Sequence, residues 1–185
     1  MPTTITAYHG DIFDVKADCL VCSANVFLTL SGGVGGELLR RYGTETQAPL
    51  QHYLSTRAIR YTTRGDVVVT SPANTPYRRV LHAVAVDGMY DSTVDVVTQV
   101  VRRSLDAAAA AGCRSIVFPA LATGYGHLTF ADFLAGWSAG LADCPRSFDA
   151  ITLAVRDADE ARLAQTQLAA SRPAPGLAPR EGDTR

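Results

Sequence analysis

Two glycine-rich stretches carry the residues best suited to chemistry in this chain. The first is Asn25 followed by Gly32-Gly33-Val34-Gly35-Gly36, and the second is Pro119-Ala-Leu-Ala-Thr-Gly-Tyr-Gly126. Glycine lets the backbone adopt positive φ and bring N–H groups close to a ligand. A helix start beyond such a loop adds unpaired N–H donors and the positive end of the helix dipole, which favours phosphate. The first stretch lies between an apolar run, Cys19 to Ser23, and a helical pattern, Glu37 to Arg41. The second likewise follows an apolar run and precedes a helical one. Two loops in the same context point to a nucleotide-like ligand with a diphosphate.

Neither standard phosphate motif is present. A Walker A loop requires Gly-Lys-Ser/Thr, whereas Glu37 follows Gly36. The dinucleotide spacing G-x-G-x-x-G fails at Leu38, counted from Gly33 and Gly35.

Six apolar runs read as strands: Ile5–Tyr8, Cys19–Ser23, Asp66–Thr70, Arg79–Val86, Ser115–Phe118 and Asp149–Val155. Several are nearly continuous in Val, Ile and Leu, as expected of a sheet covered on both faces. Thr44-x-x-Gln47, Ser92-x-x-Asp95, Thr129-x-x-Asp132 and Asp157-x-x-Glu160 read as helix starts. Val97, Val101 and Ala108 share one helical face, and Gly112 is placed to end that helix. Phe133, Trp137 and Leu141 form a core-facing stripe on the next. The third and fourth strands are too close in sequence for a crossover helix and should be antiparallel neighbours. The expected fold is α/β, with a central mixed sheet of about six strands between helical layers in three-layer α/β/α order.

The chain has 185 residues, 47% of them hydrophobic and 19% charged, with a net charge of −1. That fits one globular domain over residues 1–170. The stretch 171–185, broken by Pro173, Pro175, Gly176, Pro179 and Gly182, reads as a disordered tail. The charge balance argues against general nucleic-acid binding. No apolar stretch approaches the ~18–20 residues of a membrane span. The opening Met1-Pro-Thr-Thr-Ile-Thr has neither a charged nor an apolar signal region, so a cytoplasmic monomer is expected. Four cysteines read as reduced thiols. Cys19 and Cys22, three apart in a strand, point to opposite faces and make no metal site. No metal and no cofactor are expected.

The ordered set of motifs resembles the macro domain, an ADP-ribose-binding module. Gly10-Asp11-Ile12 after the first strand is similar to that family's opening, and Ser23-Ala24-Asn25 to the end of its Asn-Ala-Ala-Asn element. Gly32 to Gly36 resembles its first ligand loop, and Arg79-Val-Leu-His82-Ala-Val84 its inner-strand signature. Phe118 to Gly126 resembles its second ligand loop. The likeness covers about residues 4–155.

The resemblance implies that Asp11 accepts from the adenine amine and that Ile12 supplies a backbone N–H and an apolar wall. Asp11 has a simpler alternative role as a turn cap. Asn25 would meet the distal ribose, or merely shape its loop. The amides of Gly32, Gly33, Val34, Gly35 and Gly36 and the loop Ala122, Thr123, Gly124, Tyr125 and Gly126 would embrace the diphosphate. Tyr125 would pack on the distal ribose, and Arg156 is placed to stack on adenine or to remain a solvated cation. His82, mid-strand, reads as a core histidine. His127, beside the second loop, is either a general acid or base or an ordinary loop residue.

Partners implied by the resemblance are ADP-ribose and ADP-ribosylated protein or nucleic acid. Several hydrolytic branches carry an aspartate after Gly-Gly-Val, and Gly35 stands there. Asn25 and Glu37 are the candidate catalytic residues, with Asp87 and Asp91 weaker options. Two functions follow from this: an ADP-ribosyl hydrolase, or a reader that binds ADP-ribose without turnover.

Overall fold

A computed structural model of the chain describes residues 3–142, 144 and 148–170. The expected tail, 171–185, lies outside them. The strands are β1 (Thr4–His9), β2 (Cys19–Asn25), β3 (Val67–Thr70), β4 (Arg79–Val86), β5 (Ser115–Phe118) and β6 (Ala150–Val155). They form one sheet in the order β1-β6-β5-β2-β4-β3. β3 pairs antiparallel with β4, as their short connection requires, and every other neighbouring pair is parallel. The helices are α1 (Gly33–Tyr42), α2 (Ala48–Thr56), α3 (Val94–Ala110), α4 (Phe130–Leu141) and α5 (Ala158–Ala170).

Two apolar clusters cover the two faces, giving the expected three layers. One joins Leu81, Ile116 and Leu153 of the sheet to Val97 and Leu105 of α3, Phe133 and Trp137 of α4, and Ala164 of α5. The other joins Leu20, Val80 and Val117 to Leu38 of α1 and Leu50 of α2. Cys19 falls in the first cluster and Cys22 in the second, so their alternation across β2 separates the two thiols. Helices α3 and α4 meet closely. A Cβ on Gly140 would stand 2.6 Å from Val101, so a larger residue there would force the helices apart.

The helix starts are partly as expected. Thr129 and Asp132 form a reciprocal capping box on α4, and Asp157 accepts from the N–H groups of Asp159 and Glu160 at the start of α5. The cap of α3 is Thr93, not Ser92; it accepts from the Val96 N–H at 3.3 Å. Thr44 opens a short 3-10 turn (Thr44–Thr46) instead of capping a helix. Gln47 reaches away from α2, accepting from the Leu30 N–H at 2.8 Å and donating to the Leu28 carbonyl at 2.9 Å. That side chain therefore braces the approach to the first glycine loop.

His82 is fully buried on β4, its Nε2 3.1 Å from the Thr70 hydroxyl. Burial lowers its pKa to about 4. The folded ring therefore stays neutral where the unfolded ring, at about 6.5, takes up a proton. The stability this confers is complete above the unfolded value and declines as pH falls toward the folded one. Urea unfolding at pH 7 and pH 5 should show the wild type losing about 2 kcal/mol more than His82→Gln between the two conditions. Equal losses would contradict a neutral buried ring.

Candidate functional site

β2 ends at Asn25, where its register with β4 slips between Ala24 and Asn25. The Asn25 Oδ1 accepts from the Phe27 N–H at 3.0 Å, so the side chain does shape its loop. That bond also orients the carboxamide and leaves its NH2 free to donate to a ligand.

The first glycine stretch is itself the start of α1 and not a loop ahead of it. Gly32 is the extended cap residue, and Gly33 takes a φ of +54°. The Gly36 N–H donates to the Gly32 carbonyl at 2.9 Å, which withdraws it from any ligand. The donors left open are those of the first turn, Gly33, Val34 and Gly35. Gly35 is buried, and a Cβ there would stand 3.1 Å from Leu30 Cδ2 and 3.4 Å from Cys22 Sγ. The position has little room for a side chain.

The second stretch folds on itself before α4 begins. Ala122 and Gly124 have φ of +59° and +70°. Gly126 donates to the Thr123 carbonyl and Leu128 to the Ala122 carbonyl, both at 3.3 Å. Among the described residues, the N–H groups of Thr123, Gly124 and Tyr125 have no protein acceptor.

Between the two stretches lies a cavity of about 320 Å³. Of the expected site residues, Asn25, Gly32, Gly33, Val34, Thr123, Tyr125 and Gly126 line it, whereas Gly35, Gly36, Ala122 and Gly124 do not. Thr29, Ser31, Val86 and Tyr90 line it as well, and sequence reasoning missed them. Tyr90 has a φ of +64°, and its ring lies 6.4 Å from that of Tyr125. The only sequence signal for Tyr90 is the Asp87-Gly88 turn after β4.

Asp11, Ile12 and Arg156 stand apart from this cavity, at the ends of β1 and β6. Asp11 caps a 3-10 turn (Ile12–Asp14) by accepting from the Phe13 N–H at 3.1 Å. Its other oxygen accepts from Arg41 at 2.6 Å and Arg156 at 3.3 Å. Partial burial opposes ionisation of Asp11, but the Phe13 N–H and the two guanidiniums outweigh it and lower the pKa. A carboxylate has about four lone-pair sites, so one remains for an external donor. Arg41 also lies over the Phe13 ring at 4.6 Å, and the neighbouring Ile12 is buried.

Glu37 is held by Arg40 and Arg41, each at 2.6 Å. Hydrogen bonds from Arg40 and then Arg41 bring its pKa to about 2, and it does not line the cavity. An anion so stabilised is a weak base at neutral pH. His127 pairs with Asp91, Nδ1 to Oδ1 at 2.7 Å. Among the described residues no group of three or more His, Cys, Asp or Glu is placed to hold a metal, and no helix is long and apolar enough to cross a membrane.

The family model of the macro domain matches residues 21–134, which span both glycine stretches. The chain belongs to the macro domain family. It is 36% identical to a macro domain-containing protein of Streptomyces nogalater, over 66% of this chain and 68% of that protein. It is 33% identical to a Citrobacter rodentium protein named O-acetyl-ADP-ribose deacetylase, over 69% of this chain and 72% of the relative. About a third of each relative thus lies outside the match.

Among solved structures, the Trypanosoma brucei macrodomain in complex with ADP-ribose superposes with a TM-score of 0.71 at 25% identity, covering 89% of this chain and 68% of that one. The Oceanobacillus iheyensis macrodomain with ADP superposes with a TM-score of 0.81 at 20% identity, covering 91% and 92%. The six-stranded mixed sheet is thus the macro domain fold.

The second stretch of this macro domain has almost no tolerance for added atoms at one position. A Cβ on Gly126 would lie 2.2 Å from the Ala122 carbonyl oxygen, whereas one on Gly124 would meet nothing. Gly124→Ala should cost about 1 kcal/mol, from its positive φ alone. Gly126→Ala should cost clearly more, because backbone must move. Thermal unfolding of the two variants checks this, and an equal or smaller loss for Gly126→Ala would contradict the packed loop.

Proposed function

We propose that this macro domain binds ADP-ribose and hydrolyses ADP-ribosyl derivatives substituted at the distal ribose. The observation that carries the reading is that residues with unpaired backbone amides from both stretches, Gly33 and Val34 from one and Thr123 and Tyr125 from the other, line one cavity together with Asn25. Amides aimed from two sides suit a diphosphate and need no lysine. Asn25 then meets the distal ribose, with Tyr125 packed against it. The adenosine end extends along the strand ends toward Asp11, whose open lone pair accepts the adenine amine, with Ile12 below and Arg156 beside it. The relative named O-acetyl-ADP-ribose deacetylase supports a hydrolytic role. We assign substrates as ADP-ribose derivatives, ADP-ribosylated protein or ADP-ribosylated nucleic acid.

Gly35 favours a second reading, a reader of ADP-ribose without turnover, because no carboxylate stands there and Glu37 is tied to two arginines. Either reading suits a cytoplasmic monomer. The cavity is formed within one chain, and Cys19, Cys22 and Cys113 are buried reduced thiols, as a reducing compartment keeps them.

Calorimetric titration with ADP-ribose tests the binding. The wild type should bind, and Asn25→Ala should bind at least tenfold more weakly, a loss of about 1.4 kcal/mol or more. Absence of wild-type binding would overturn the reading. Incubation with O-acetyl-ADP-ribose and with mono-ADP-ribosylated protein then separates hydrolase from reader by the appearance of product.

A further inference from the structure

The hydrolytic reading leaves the site without an evident base, and one side-chain pair in the loops beside the cavity, outside its lining, has the required chemistry. His127 follows Gly126, and Asp91 follows Tyr90; both of those preceding residues line the cavity. The two loops are tied together there by the contact between the Tyr90 and Tyr125 rings. The Asp91 carboxylate meets Nδ1 of His127 at 2.7 Å. A carboxylate accepts, so Nδ1 carries the hydrogen and the lone pair of the neutral ring lies on Nε2. Among the described residues, Nε2 has no protein partner.

Asp91 is itself held in place. Its N–H donates to Asp87 Oδ1 at 3.0 Å, its carbonyl accepts from the Asp87 N–H at 3.1 Å, and it also accepts from Arg64 at 3.2 Å. Arg64 in turn pairs with Asp87 at 3.1 Å. A largely exposed histidine whose Nδ1 is fixed by a carboxylate carried on an anchored backbone is the arrangement of a general base with its orienting group. Fold stability gives a poor account of the pair, because the side chains are 67% and 59% exposed and surface ion pairs add little.

We propose that His127, oriented by Asp91, is the acid–base residue of this macro domain, acting on an ADP-ribose derivative whose substituent leaves the cavity between Tyr90 and Tyr125. The inference rests on the hydrolytic reading above. Nε2 takes a proton from water as the water oxygen bonds to the electrophilic carbon of the substituted distal ribose or its ester. The same proton passes to the departing oxygen or nitrogen as the old bond breaks. Water is the only reactant consumed, and the ring ends neutral. His127 contacts the reacting water, whereas Asp91 is a positioning residue.

The test measures ADP-ribose affinity by calorimetry and turnover of O-acetyl-ADP-ribose and mono-ADP-ribosylated protein, for wild type, His127→Ala and Asp91→Asn. His127→Ala should lower kcat about 100-fold, the scale of general acid–base catalysis, with Kd within twofold of wild type. Added imidazole should restore part of that loss, because the site is exposed. Asp91→Asn should lower kcat about tenfold with Kd again unchanged, since an orienting group is worth less than the base it holds. Unchanged kcat in His127→Ala, or equal weakening of binding and turnover without imidazole rescue, would overturn the proposal in favour of a purely structural loop bridge. Wild-type binding with no product from either substrate would overturn it too, while leaving ADP-ribose recognition intact. Loss of wild-type binding would instead sink the reading beneath it.

Discussion

Five strands running in one direction are the constraint on which the site depends. Because β1, β6, β5, β2 and β4 are mutually parallel, their carboxyl ends form a single rim. Asn25 closes β2, and Asp11, the Asp87–Tyr90 turn, the second glycine stretch and Arg156 sit just past the other ends. Open α/β sheets bind ligands in crevices outside the carboxyl ends of their strands. The buried strands in turn need both faces covered, which is what the two apolar clusters provide. A strand reversed in this set would carry its loop to the opposite end of the molecule.

Charge is arranged along that rim without a basic surface. Among the described residues, the cavity lining contains no charged residue, whereas the far side concentrates its charge in one linked group. Glu37 binds Arg40 and Arg41, Arg41 binds Asp11, and Arg156 closes on the same carboxylate. The link makes α1 serve both halves. Its first turn lines the cavity with Gly33 and Val34, and its last turn sends Arg41 to Asp11. A net charge of −1 is therefore compatible with a phosphate site.

The fold was legible where periodicity and chain length dictate the answer. β4 and β5 have the bounds their apolar runs suggest, and the short link before β4 settles an antiparallel pair. Local hydrogen bonding was less legible. Ser92 and Thr93 are chemically equivalent caps, and only the path of the chain selects Thr93. The glycines of the first stretch looked like a loop because glycine disfavours helix, yet Gly33, Gly35 and Gly36 lie in α1, and at Gly35 the neighbouring Leu30 and Cys22 leave little room for a side chain. Tyr90, Val86, Thr29 and Ser31 carry no motif of their own, since they line the cavity through long-range topology. The His127–Asp91 contact spans 36 residues and was equally out of reach. For Asp11 and Asn25 the modest roles, a turn cap and a loop brace, are present, and both leave bonding capacity for a ligand.

In the proposed complex, one ligand is gripped by backbone amides from both glycine stretches at once. A two-dimensional amide NMR titration with ADP-ribose tests this most directly. Saturable shifts should appear at Gly33, Val34 and Gly35 and at Thr123, Gly124 and Tyr125, all with one dissociation constant. Gly36 and Gly126, whose N–H groups are already bonded within the protein, should shift less. Shifts confined to one stretch, or located away from the strand-end rim, would contradict it.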